Sequence, residues 1–208
     1  MAVEDIVRFF SENSRYSPKM VHTEVTEAGL ARYGTPDFTL SDEISSYLSQ
    51  GNIRLYSHQC SVVSHALKGR NVIVTTPTAS GKTLAFNIPV FEQLIADPAS
   101  RALYLYPTKA LTNDQLGAIA RLNGFTGVNA RPAVYDGDTP QSQRAMIRDN
   151  SRIVLTNPHE LHHILAWHTR WRDLFSHLEF VVIDEAHRYR GIFGSHIALL
   201  VRRLVRLC

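Results

Sequence analysis

Residues 71–83 read Asn71-Val72-Ile73-Val74-Thr75-Thr76-Pro77-Thr78-Ala79-Ser80-Gly81-Lys82-Thr83. A β-rich run, a proline break, small residues, a Gly-Lys-Thr triplet and helical periodicity from Leu84 onward predict a strand, a phosphate-binding loop and a helix, in that order. Gly81 lets the backbone wrap a phosphate without a Cβ. The amides of Ala79, Ser80, Gly81, Lys82 and Thr83 face that phosphate from a helix N-terminus. In this reading Lys82 bridges the β- and γ-phosphates and the Thr83 hydroxyl takes a Mg²⁺ position. One departure is visible: the glycine that usually opens such a loop is Thr76 here.

Outward from the loop, five β-rich runs are expected: Asn71 to Thr75, Ala102 to Tyr106, Ala130 to Tyr135, Arg152 to Thr156 and Phe180 to Ile183. Helical periodicity occupies 84–95, 110–123, 141–148 and 158–167, and an earlier stretch at 57–68 closes on Gly69. Nearly continuous apolar strands alternating with helices predict an α/β fold whose mostly parallel sheet carries helices on both faces. Ligands of such folds bind beyond the carboxyl ends of the strands. The last run leads directly into Asp184-Glu185-Ala186-His187. Asp184 is placed for a second Mg²⁺ contact, although an acid there also suits a helix N-cap. Glu185 can aim at a water and act as the base for attack on the γ-phosphate, and His187 can couple this site to another surface by hydrogen bonding.

The chain has 208 residues, of which 44% are hydrophobic and 20% charged, enough apolar material for a core and unlike a disordered or collagen-like chain. Its 22 basic and 19 acidic residues leave +3, a bias compatible with a polyanionic partner but too weak to demonstrate one. Cys60 and Cys208 make neither a zinc or iron–sulfur ligand set nor a disulfide framework, so a reducing, cytoplasmic setting is the default. The amino terminus carries Glu4 and Asp5 and lacks a secretory pattern, and no apolar run approaches the roughly 20 residues that span a bilayer. Residues 1–54 read as a leader packing on a core domain of 55–208. The terminal stretch Ser195 to Cys208, a basic amphipathic helix ending without a cap, reads as cut at an arbitrary boundary.

Four strings occur in order: TASGKT at 78–83, PTKAL at 107–111, TNPHEL at 156–161 and DEAH at 184–187. Together they resemble the first RecA-like domain of superfamily-two DEAD/DEAH-box helicases, over about residues 55–207. The finer string DEAHRYRGIFGSH, with LYSHQ upstream, looks like the RecQ-related DNA repair helicases that carry a cysteine-containing carboxyl-terminal domain, including the bacterial mitomycin-repair type. The resemblance implies that ATP and Mg²⁺ bind, with Gln59 reading adenine and Tyr56 packing on or near the base. Thr78, Ala79, Ser80, Gly81, Lys82 and Thr83 would cradle the phosphates. Pro107, Thr108 and Lys109, then Thr156, Asn157 and Pro158, would hold the backbone of a single strand, and Gly137 matches the glycine-containing loop after the third core strand.

Plainer roles fit some of these residues. Thr108 and Thr156 suit caps of the turns that follow them, and Gly137 between two acids suits an ordinary turn. Trp167 and Trp171 lie one helical turn apart, for which packing is favoured over base stacking. For the full protein the resemblance implies ATP hydrolysis coupled to 3′–5′ translocation along single-stranded or partly duplex DNA, in DNA repair. It also implies a second RecA-like domain beyond residue 208 that supplies a charge-stabilising arginine. The Ser-Ala-Thr motif that should follow DEAH and the motifs of that second domain are absent; without its arginine the chain alone is expected to be nearly inactive, and it is expected to be monomeric. The alternatives are the motor of a restriction, remodelling or RNA helicase system, or a nonenzymatic nucleotide-binding module.

Overall fold

The computed structural model describes residues 3–24, 30–76 and 80–208. Its contacts divide into two units, residues 1–32 and 33–208. In the first, α1 (Val3–Glu12) buries none of its residues, and its Phe9 and Phe10 rings meet Tyr16.

The second unit holds a four-stranded sheet in the order β2-β3-β1-β4, every pair parallel. Its strands are β1 (Arg101–Leu105), β2 (Ala133–Val134), β3 (Ile153–Thr156) and β4 (Leu178–Ile183). Side chains of a strand alternate between faces, so β1 and β3 feed two separate cores. Ala102, Tyr104, Ile153 and Leu155 point to one side, with Tyr106 just beyond β1. There they pack with Ile44 of α2 (Asp42–Gln50), Val63 of α3 (Ser57–Leu67), Ile88 of α4 (Lys82–Ala96) and Ile119 of α5 (Lys109–Thr126). Leu103, Leu105 and Val154 point to the other side. Their partners are Ile147 of α6 (Gln141–Asn150), Leu161 of α7 (Pro158–Ala166), Phe175 of α8 (Arg172–Ser176) and Leu200 of α9 (Gly191–Val205). The expected α/β architecture, a parallel sheet between two helical layers, is therefore present. Burial on both faces is why these two strands read as unbroken apolar runs.

Three expected elements differ. Asn71 to Thr75 is not a strand: Ile73 is 91% exposed, and no described strand stands beside the segment. Apolar content does not make a strand without a neighbour to take its N–H and C=O groups. The run Ala130 to Tyr135 shrinks to Ala133–Val134 because Asn129 and Arg131 take left-handed φ values of 54° and 47°, and Pro132 follows. The final helix begins at Gly191, earlier than Ser195. Gly69 does close α3, with φ 71° just past its C-cap Lys68. No helix among the described residues is long and apolar enough to cross a membrane.

The edge of the sheet opposite the carboxyl ends is locked by Arg152. Its guanidinium donates to the carbonyls of Leu94 at 2.8 Å, Asp97 at 2.7 Å, Ser100 at 3.2 Å and Val128 at 3.3 Å. One side chain thus ties the end of α4, the loop before β1 and the loop after α5 to the start of β3. Arg152→Ala strands several acceptors at once and should destabilise this unit by about 2 kcal/mol or more. Urea denaturation measures it, with Arg152→Lys expected between the two because an ammonium cannot reach all four carbonyls.

Candidate functional site

Parallel pairing places Leu105 opposite Thr156 on one side and Ile183 on the other, so these strands end at one edge. Thr78 and Ala79 fall outside the described residues. Gly81 is the N-cap of α4 with φ 78°, in the left-handed region, and a Cβ there would sit 2.5 Å from Nε2 of Gln59. Glycine is thus required twice, by conformation and by space. Lys82 Nζ donates to the Thr76 carbonyl at 3.0 Å, and the Thr76 and Ser80 hydroxyls are 2.7 Å apart. Thr83 follows, half-buried in the first turn of α4.

Gln59 is 3% exposed and spans two elements. Its Oε1 accepts from the Tyr56 N–H at 2.8 Å, and its Nε2 donates to the Gly81 carbonyl at 2.8 Å. The side chain locks the start of α3 to the phosphate loop and retains one N–H and one lone pair for a ligand. A His58 ring nitrogen adds a 3.0 Å contact to the Ser80 carbonyl. Tyr56 lies in a tier of rings, stacked on Tyr33 at 5.4 Å and on His58 at 5.8 Å, with the Arg54 guanidinium 4.3 Å from the Tyr33 ring. Sequence reasoning missed Tyr33 and Arg54: a tyrosine 23 residues ahead of its stacking partner carries no local signal.

Asp184 continues the ladder, its N–H donating to the Leu105 carbonyl at 3.1 Å, and its Oδ1 accepts from the Glu185 N–H at 2.8 Å. Burial lifts the Asp184 carboxyl above its ordinary value. The Glu185 N–H opposes the rise, the Glu185 charge adds to it, and the Lys82 charge pulls it back down. Lys82 and Asp184 therefore sense one another across the site. Glu185 holds φ 51°, a left-handed conformation that costs a non-glycine residue about 1–2 kcal/mol. That turn brings its carboxylate to 3.1 Å from Nδ1 of His187. The expected trio Asp184, Glu185 and His187 is thus one local turn.

Two buried hydroxyls, on Tyr106 and Tyr189, have no hydrogen-bond partner among the described residues. Burial first and the Asp184 charge second push both phenols upward, that of Tyr189 to about 12, so both stay protonated. The Asp184 carboxylate and the two orphaned phenol hydroxyls that feel its charge are oxygen groups of the kind that suits Mg²⁺ and its waters. No cluster of three or more His, Cys, Asp or Glu able to hold a metal occurs among the described residues.

The segments expected to hold a strand follow β1, β2 and β3. Pro107 and Thr108 are half-buried and Lys109 exposed; Thr108 caps α5, accepting from the Leu111 N–H at 3.5 Å. Lys109 pairs with Asp138 of the turn containing the exposed Gly137. Thr156 is 1% exposed and donates its hydroxyl to the Tyr135 carbonyl at 2.7 Å, so it fastens β3 to the end of β2. Asn157, not Thr156, is the N-cap of α7, accepting from the Glu160 N–H at 3.0 Å, with the buried Pro158 in the first turn. Arg144, also missed by sequence reasoning, joins these pieces. It donates to the Asp136 carbonyl at 2.6 Å, the Thr139 carbonyl at 3.1 Å and the Glu160 carboxylate at 3.0 Å, and its guanidinium lies 4.8 Å from the Tyr135 ring centroid.

A family model described as DEAD/DEAH box helicase matches residues 56–207. The chain is 45% identical over 172 residues to the uncharacterized ATP-dependent helicase YprA of Bacillus subtilis, covering 82% of this chain and 23% of that protein. It is 40% identical over 201 residues to the ATP-dependent helicase HRQ1 of Saccharomyces cerevisiae, covering 93% of this chain and 18% of that one. The crystal structure of the DUF1998 helicase MrfA bound to DNA and AMPPNP superimposes with TM-score 0.82 at 43% identity, covering 86% of this chain and 25% of that chain. The chain thus spans about a quarter or less of these relatives' length. These similarities correct the branch expected from DEAHRYRGIFGSH. The relatives are of the YprA, HRQ1, Lhr and DDX54 kinds, so the domain is a superfamily-two RecA-like helicase domain and not specifically of the RecQ type.

Asp184 offers a test with a defined sign. Its raised carboxyl pKa makes ionisation a cost to folding that is fully present above the folded pKa and absent below the unfolded value of about 4. Asp184→Asn keeps the Oδ1 acceptor for Glu185 and removes the charge. The variant should melt higher than the parent near neutral pH, with the difference shrinking toward about pH 4. Melting curves across that range check it, and a pH-independent difference would contradict the assigned burial.

Proposed function

We propose, since the chain belongs to the DEAD/DEAH box helicase family, that it is the ATP-binding motor domain of an ATP-dependent DNA helicase. The observation that supports this reading is the left-handed Gly81 at the head of α4, where Gln59 leaves no room for a Cβ, together with Asp184, whose N–H bonds the Leu105 carbonyl at the carboxyl end of the sheet. Lys82, next to Gly81, would serve the terminal phosphates and Asp184 a metal.

Each residue then has a task. Ser80 and Gly81, with Thr78 and Ala79, supply backbone amides to the phosphates, and Lys82 neutralises the terminal ones. Thr83 and Asp184 would hold Mg²⁺, which draws charge from the phosphates when bound. Glu185 removes the proton from the attacking water, and His187 keeps the Glu185 carboxylate in position. Gln59 uses its remaining N–H and lone pair on the adenine edge while its Gly81 contact couples base recognition to the phosphate loop, and Tyr56 supplies an apolar wall. Pro107, Thr108, Lys109, Gly137, Thr156, Asn157 and Pro158 line the path of a single strand, with Thr156 acting through its hold on β2. Contacts of this kind engage the phosphate backbone and do not read bases. The choice of DNA follows MrfA, solved with DNA. In the whole protein a second RecA-like domain closes on the nucleotide, supplies the arginine, and converts closure and reopening into 3′–5′ stepping.

In the full-length protein, Glu185→Gln should lower strand-stimulated ATP hydrolysis by about 10²–10⁴-fold while leaving ATP binding intact. Turnover and equilibrium nucleotide binding measure the two separately, and unchanged turnover would remove Glu185 as the base. Strand affinity should be similar for unrelated DNA sequences and fall steeply with salt, with a log–log slope of about −0.7 per phosphate engaged. Titrations of dT and rU oligomers of equal length decide the sugar: a preference for rU moves the assignment to RNA.

A further inference from the structure

A cavity of about 370 Å³ lies between α6, α7 and the 3₁₀ turn His168–Trp171, apart from the phosphate loop. Its volume falls within the range of about 300–1,000 Å³ typical of small-molecule sites. We propose that this cavity receives one nucleotide unit of a nucleic-acid strand, its base against Trp167 and its phosphate on Arg148 and Arg170. The inference rests on the reading of the sheet edge as a strand-binding surface.

The cavity has a rigid, charge-neutral floor. Tyr135 and Trp171 are 8% and 3% exposed and meet edge to face, with centroids 4.7 Å apart at 90°. Arg144 covers the Tyr135 ring and is fixed by three hydrogen-bond acceptors, one of them the Glu160 carboxylate, so the two charges cancel. The rim is different. Trp167 is 57% exposed, unlike its buried neighbour Trp171, and the Arg170 guanidinium lies 4.8 Å from its ring. Among the described residues Arg170 makes no ion pair, and Arg148 is paired only with the exposed Asp149. Arg148, Asp149 and Arg170 also line a smaller adjoining cavity, where the Asp149 carboxylate offsets Arg148 and the Arg170 charge is left for a phosphate. An exposed indole beside two guanidinium groups offers a stacking face for any base and donors for a phosphate, the combination that non-specific single-strand binders use.

Position supplies the second argument. The cavity-lining Tyr135 and Gln141 flank the Asp136–Thr139 turn that carries Gly137, and Glu160 stands in the first turn of α7 behind its cap Asn157. Two of the three strand-holding segments therefore form one border of the cavity. A strand crossing them and following the groove between α6 and α7 reaches Trp167 at the far end of α7, about 15 Å from Asn157 at ~1.5 Å per residue.

Tryptophan emission reads the site directly, because the chain has two tryptophans and one of them is buried. The 208-residue chain is titrated at low salt with a dT 12-mer, following both tryptophan emission and the anisotropy of a labelled oligomer. Binding should quench emission in the parent. Trp167→Ala should weaken binding by about 5- to 100-fold and abolish the quench. The Arg148→Ala, Arg170→Ala double variant should weaken binding and flatten the salt dependence. Trp167 and Arg170 are exposed and Arg148 is half-buried, and the residual Trp171 emission reports that the fold is intact. If the oligomer binds equally to the parent and to Trp167→Ala with no change in emission, the cavity proposal fails while the strand-binding edge stands. If neither dT nor rU oligomers bind, both fail. If an oligo-glutamate peptide quenches Trp167 and the oligomers do not, the occupant is an acidic peptide and the nucleotide assignment is overturned.

Discussion

The parallel alignment of β3, β1 and β4 is the constraint on which the site depends. With Leu105 in register with both Thr156 and Ile183, the chain leaves these strands on one side of the sheet each time. Pro107, Asn157 and Asp184 are therefore neighbours by topology, although nothing in their local sequences refers to one another. The register is held from both faces. A slip of one residue would exchange Tyr104 with Leu103 between two different cores, and both cores would be mispacked.

On that edge, small polar linkages do what the sheet cannot. Gln59 joins α3 to the backbone at Gly81, so displacement of the phosphate loop is felt at Tyr56 and its ring tier. Arg144 performs the equivalent task on the other flank, binding the Gly137 turn to the start of α7. The left-handed Glu185 concentrates backbone strain where the acid pair diverges, the Asp184 carboxylate accepting from the Glu185 N–H and the Glu185 carboxylate meeting His187. Strain of this kind persists only where the surroundings over-determine it, which the ladder bond from Asp184 to Leu105 does.

The layout was legible where a physical requirement leaves a mark on consecutive residues. Ile153 to Leu155 is buried on both faces and so is apolar throughout, and Gly81 must be glycine because of its φ and of Gln59. The DEAH turn could be placed because the apolar run Phe180 to Ile183 leads into it, although that strand lies at the sheet edge and none of its residues is buried. The misread segments are those whose fate lies elsewhere. Asn71 to Thr75 has the composition of a strand and no described partner, and Ala130 to Tyr135 is broken by left-handed residues that periodicity does not reveal.

By itself the sequence determined the fold class, the phosphate loop and the acid pair, since each rests on residue type and short spacing. Only the tertiary structure decided that Trp171 is buried while Trp167 stands open, that Thr156 spends its hydroxyl on Tyr135, and that Arg144, Arg152 and Tyr33 are joints of the molecule. The reason is separation along the chain. A hydrogen bond or ring contact between residues 8 to 58 positions apart depends on where the sheet carries each of them, and no local pattern records that position.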